Sequence, residues 1–93
     1  MDLQEITDKI KPVLLSYGVS KAGIFGSYAR NKANESSDVD IVVRLGRPMS
    51  LLQFAALKNS LEDILQKRVD LVEYDALKAR LKDHILMEEE PVL

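Results

Sequence analysis

Gly26-Ser27-Tyr28-Ala29-Arg30, a polar spacer, then Ser37-Asp38-Val39-Asp40: the reading of this stretch, which has an apolar run on each side, decides the fold. Its second half carries more information. Asp38-x-Asp40 opens the run Val39 to Leu45, rich in the β-branched residues that favour a strand. Residues two apart in a strand point the same way, so Asp38 and Asp40 share one face. Val39, Ile41, Val43 and Leu45 form the other, apolar face, which reads as the core side. Two like charges side by side repel, and the pair makes sense around a divalent cation. A polar strand start with two solvated carboxylates is the plain alternative.

The first half follows a second apolar run, Ala22 to Phe25, and precedes Tyr28-Ala29-Arg30, which can open a short helix reaching about Lys32. Gly26 lets the backbone come close to a ligand, and Ser27 can add its hydroxyl as a cap or as a ligand. Free N–H groups at such a turn suit phosphate oxygens. Taken alone, Gly-Ser after a strand is an ordinary turn.

Gly26-Ser27, ten residues, then Asp38-Val39-Asp40 together resemble the signature of the polymerase-β-type nucleotidyltransferases. Ala29-Arg30 and Ser37 add a likeness to the small branch of that family, the minimal nucleotidyltransferases (MNT). The resemblance weakens after Tyr74. It implies that the Gly-Ser turn binds nucleotide phosphates, that the Asp pair binds divalent metal, and that a third carboxylate on a later strand completes the site.

Asp70 is the candidate, near the start of a third strand over Arg68 to Tyr74. A long helix between strands two and three suits a parallel crossover, which brings the strand starts, and hence Asp38, Asp40 and Asp70, together. The first strand ends at Gly26-Ser27 and meets the beginning of strand two only if those strands are antiparallel. The expected fold is a small α/β (α+β) nucleotidyltransferase fold, a three-stranded mixed sheet covered by helices in the order α-β-α-β-α-β-α. Asp70 also has a plain reading, as a solvated residue or a partner for Arg68.

Further out, Asp2 and Glu5 form a capping-box variant for a first helix in which Leu3, Ile6, Ile10, Val13, Leu14 and Tyr17 recur at helical spacing. Pro12 removes a bond to the carbonyl of Asp8, which predicts a kink or break, and Gly18 is a stop. Ser50 and Gln53 repeat the capping box for the long helix, which reaches about Lys67 and lines up Leu51, Phe54, Leu57, Leu61, Ile64 and Leu65 on one side. Asp75 is expected to cap a last helix sharing Leu77, Leu81 and Ile85 on one face, and residues 88–93 to form a frayed acidic tail.

With 93 residues, 46% apolar and 30% charged, the chain reads as a single nucleotidyltransferase domain over residues 1–93, of ordinary globular composition. It has no cysteine, so thiolate-metal and disulfide chemistry are excluded. No apolar run reaches membrane-spanning length and no signal region opens the chain, so a cytoplasmic protein without membrane partners is expected. A net charge of −2 argues against broad nucleic-acid binding.

The resemblance implies metal-dependent nucleotidyl transfer, with AMP from ATP as the expected donor chemistry. Asp38, Asp40 and Asp70 would be catalytic and would hold two Mg²⁺ ions, and Gly26 and Ser27 would hold phosphates. Arg30 either reaches phosphate or pairs with a carboxylate to brace the site. Tyr28 either stacks on a base or covers the core. Arg44 and Arg47 either steer triphosphate or are solvated, and His84 reads as a surface residue. With no evident acceptor pocket, the acceptor is expected to be another macromolecule; in the MNT branch this is a HEPN toxin, modified on a tyrosine by its antitoxin. A non-catalytic module that neutralises its partner by masking is the competing reading, and transfer to a small antibiotic alcohol a third.

Overall fold

The computed structural model describes residues 1–93. Helix α1 (Leu3–Ser16) leads into β1 (Val19–Phe25), a single-turn α2 (Gly26–Ala29), β2 (Val39–Leu45), α3 (Leu51–Leu65) and β3 (Val69–Glu73). A 3₁₀ turn (Tyr74–Ala76), α4 (Ala79–Glu88) and a two-residue strand β4 (Glu90–Pro91) follow. The sheet runs β3-β2-β1-β4. Strands β1 and β2 are antiparallel, with Phe25 opposite Asp40, and β2 and β3 are parallel, with Asp40 opposite Asp70. The parallel pairing inferred from connection length and the antiparallel pairing inferred from the place of Gly26-Ser27 are therefore both observed.

One face of the sheet carries α1 and α3. Ile6, Ile10 and Leu14 meet Leu57, Leu61 and Leu65 over Ile24, Val39, Ile41 and Val43 in a cluster of 16 buried residues. A register shift between Val19 and Lys21 twists the start of β1, so that Val19, Ala22 and Ile24 all reach this cluster. Each fully buried aliphatic side chain there contributes about 1.5–3 kcal/mol. Tyr28 is buried in the same cluster, which leaves it covering the core rather than free to stack on a base. Both expected caps form: Asp2 accepts the Glu5 N–H at 2.8 Å, and Ser50 and Gln53 make a reciprocal capping box.

Several expectations are corrected. Pro12 does not break α1: it lies on the exposed side, and the buried stripe Ile6, Ile10 and Leu14 holds the helix across the missing bond. Leu51 (86% exposed) and Ile64 (43% exposed) leave the core side of α3, whose buried line is Leu57, Leu61 and Leu65. The short helix starts at Gly26, two residues earlier than expected, so Ser27 lies inside it and is not its cap. Asp75 sits in the 3₁₀ turn, 4.0 Å from Lys82, and does not cap α4, which starts after Lys78.

The largest correction concerns residues 88–93. Instead of fraying, Glu90 and Pro91 add a fourth strand, pairing with Ile24 and Gly23 on the free edge of β1. The Val92 and Leu93 N–H groups both reach the Ala22 carbonyl, at 2.8 and 3.1 Å, and Val92 is buried in the main core. An open strand edge and an apolar residue near the chain end satisfy each other.

Candidate functional site

The carboxylates gather where β1 ends and β2 and β3 begin. The register puts Asp40 directly opposite Asp70 on one side and Phe25 on the other, so Gly26 follows immediately beside Asp40. Gly26 has φ +73°, a left-handed conformation that side chains disfavour, and a Cβ there would land on the Asp40 carboxylate. The turn is thus built for backbone next to a carboxylate. Ser27 is half-buried within α2.

Asp40 is half-buried, whereas Asp38 and Asp70 are exposed. Burial, followed by the charges of Asp70 and Asp38, pushes the Asp40 carboxyl up to about 6, with Arg30 pulling the other way and Glu88 adding to the rise. An excess of negative charge around a partly desolvated oxygen is the electrostatic condition that a divalent cation relieves. The all-oxygen donor set fits a hard ion such as Mg²⁺ in kind. It is not a closed cage: no three acidic or histidine side chains converge closely enough to grip one ion as they stand. Asp38, just ahead of β2, instead faces Arg68 with Oδ1 3.7 Å from Nε, so the Arg68 partnership considered for Asp70 belongs to Asp38.

Arg30 lies just past the end of α2 and pairs with Glu88, the last residue of α4, at 3.3 Å. Glu88 Oε1 also accepts the Gly26 backbone N–H at 3.1 Å, and its Oε2 is 3.5 Å from His84 Nε2. Burial raises the Glu88 carboxyl, but the Gly26 N–H and Arg30 outweigh it and hold the group below its ordinary value. Glu88 is the residue that sequence reasoning missed. Its partner lies 62 residues away, and an acidic run at a helix end gives no pattern from which that contact could be read.

Arg44 and Arg47 stand away from this edge. Arg44, near the far end of β2, stacks on the Tyr74 ring at 5.4 Å, and Arg47 packs beside Gly18. The structure therefore brings together Gly26, Arg30, Asp40, Asp70 and Glu88, leaves Asp38 turned toward Arg68, and leaves the two distal arginines out. Beside the edge opens a cleft of about 240 Å³, floored by Phe25, Val72, Leu77, Leu81 and Ile85, with Gly26, Arg30, Asp70, His84 and Glu88 around it. It is smaller than the roughly 300–1,000 Å³ usual for small-molecule pockets.

A family model described as "Polymerase beta, Nucleotidyltransferase" matches residues 8–93. A Methanocaldococcus jannaschii relative, provisionally named a protein adenylyltransferase, is 50% identical over 93 residues, covering 100% of both chains. The protein adenylyltransferase MntA of Thermococcus cleftensis is 46% identical over 72 residues, covering 77% of this chain and 73% of its own. Among solved structures, one provisionally named a minimal nucleotidyltransferase superposes with a TM-score of 0.85 at 36% identity, covering 98% of this chain and 96% of its own. The MNT antitoxin fold, seen in complex with a tri-AMPylated Shewanella oneidensis HEPN toxin, matches with a TM-score of 0.76 at 22% identity, covering 97% of this chain and 71% of the other.

Proposed function

The chain belongs to the polymerase-β nucleotidyltransferase family as a minimal nucleotidyltransferase, and from that membership we propose that it transfers AMP from ATP to a hydroxyl of a partner protein, a HEPN-type toxin, and so acts as an antitoxin. The observation that carries this reading is the register of Asp40 against Asp70 immediately beside the left-handed Gly26. Two relatives named as protein adenylyltransferases support the reaction class, and the HEPN complex of a structural neighbour supports the partner class.

In this reading Asp38, Asp40 and Asp70 would hold Mg²⁺, which when bound would supply charge neutralisation at the reacting phosphate and would lower the pKa of the attacking hydroxyl. Binding requires Asp38 to turn from Arg68. The Gly26 N–H, the Ser27 hydroxyl and the Arg30 guanidinium hold the β- and γ-phosphates, which become the leaving group. The acceptor oxygen bonds to the α-phosphorus, the bond from that phosphorus to the β-phosphate bridging oxygen breaks, and pyrophosphate departs. Asp70, exposed at the mouth of the cleft, takes the acceptor proton.

The test is the intact mass of this protein and of the product of the neighbouring reading frame after incubation with Mg²⁺ and each nucleoside triphosphate. A gain of one or more AMP on the neighbour, absent with Asp38→Asn, is expected. The carboxylates' failure to converge favours one competing reading, a module that masks its partner without turnover. A stable complex with no mass gain would establish masking in place of transfer.

A further inference from the structure

Glu88 occupies the donors that the phosphates require. Its carboxylate accepts the Gly26 N–H at 3.1 Å, and both of its oxygens lie 3.3 Å from Arg30 Nη1. A backbone N–H carries one proton and makes one strong hydrogen bond, so Gly26 cannot serve Glu88 and a phosphate oxygen together. The charges exclude each other as well: Glu88 is among the carboxylates that already crowd Asp40, with Arg30 the one cation opposing them there. A triphosphate that entered beside an ionised Glu88 would face that charge at hydrogen-bond range.

We propose that Glu88 is a nucleotide-competitive latch, a carboxylate delivered by the end of α4 that closes the phosphate-binding turn until a triphosphate displaces it. The inference rests on the assignment of Gly26 and Arg30 to phosphate. The surroundings suit a latch that opens without unfolding. Glu88 is the last residue of α4, and the segment after it is anchored independently by β4 pairing and by the Val92 and Leu93 bonds to Ala22. Rotation of one side chain frees Gly26 and Arg30 while α4 and β4 stay in place. His84, one helical turn earlier at 3.5 Å, stands at the position to receive the displaced carboxylate. The latch accordingly lowers the apparent affinity for nucleotide by the fraction of molecules in which it is closed.

The experiment is calorimetric titration of wild type, Glu88→Gln and Glu88→Asp with Mg²⁺ and a non-hydrolysable ATP analogue, with circular dichroism to check each fold. Gln keeps the packing and removes the charge, and Asp keeps the charge and withdraws it by one methylene from Gly26. Both variants are expected to bind about three- to tenfold more tightly than wild type. Unchanged or weaker binding in folded variants, with wild type still binding, overturns the latch and makes Glu88 a brace, while leaving the nucleotide site in place. Absence of binding by wild type and both variants removes the phosphate assignment and the latch with it.

Discussion

The two faces of the sheet are built on different terms. The face under α1 and α3 buries 16 residues and holds no buried polar or charged side chain. The opposite face carries only a small apolar cluster, Val42, Tyr74 and Ile85, with Phe25, Val72 and Leu77 packed against them. Its remaining surface is charged: Lys21 and Arg44 lie over the Tyr74 ring at 4.8 and 5.4 Å, Glu89 accepts the Tyr74 hydroxyl, and the carboxylate edge begins beside Phe25. Most of the apolar burial lies on the first face and the candidate site lies at the edge of the second, where crowded carboxylates are tolerated because the dry face holds the strands in register.

The sharpest way to break that division is to exchange one residue from each face. Asp40→Asn is expected to lower transfer to the partner by about 10³-fold or more, equivalent to about 4 kcal/mol of barrier, without loss of fold. Rates come from the time course of partner mass, and folding from circular dichroism. Retained transfer would remove Asp40 from the site. Leu61→Ala, on the dry face, is expected to cost about 3–4 kcal/mol of stability in urea unfolding, whereas Ile85→Ala, in the small cluster under α4, should cost about 2 kcal/mol because its neighbours can relax toward solvent. Equal losses would mean that the two faces share the load.

A finer probe acts within the charged face. Tyr74 is buried and its hydroxyl donates to Glu89, so burial first and that bond second raise its pKa. Tyr74→Phe leaves the half-buried Glu89 carboxylate short of a donor and is expected to cost about 1–2 kcal/mol, with a smaller cost in a Glu89→Gln background. Additive costs in a double-mutant cycle would show that the contact does not hold the C-terminal segment against β1.

How much of this was legible from the chain follows from where each signal is local. The β-branched alternation after Asp38 announces β2 and its buried side, and the length of α3 dictates a parallel crossover, which by itself brings the start of β3, and Asp70 with it, alongside Asp40. The roles of α1 and α3 also follow from spacing, but their limits do not. Pro12 is tolerated because three buried residues outweigh one missing bond, and Leu51 and Ile64 sit at positions that periodicity assigns to the core and the packing leaves open. Glu88 was illegible for a stronger reason. A carboxylate in a Glu-Glu-Glu run shows no period, and its partners Gly26 and Arg30 lie 62 and 58 residues earlier in the chain.

The smallest effect tests the electrostatics that separate the two faces. Asp40, raised to about 6 from an unfolded value of 3.8 by burial first and then by Asp70 and Asp38, binds its proton more tightly folded than unfolded. The stability that its protonated form contributes is therefore fully present below pH 3.8 and is lost as pH rises through about 6. Asp40→Asn cannot ionise, so without metal it is expected to match wild type near pH 4 and to exceed it above pH 7 by about 1 kcal/mol once solvent screening is allowed for. If the edge holds Mg²⁺ as proposed, the ion is expected to reverse the slope for wild type, because it would bind the ionised carboxylate and compete with the proton. Mg²⁺-induced stabilisation of wild type should grow as pH rises through about 6, and melting curves of both proteins across this range, with and without Mg²⁺, read both effects. If the difference between Asn and Asp proved independent of pH, the carboxylate edge would be as neutral in effect as the dry face, and the case for a cation there would rest on the register alone.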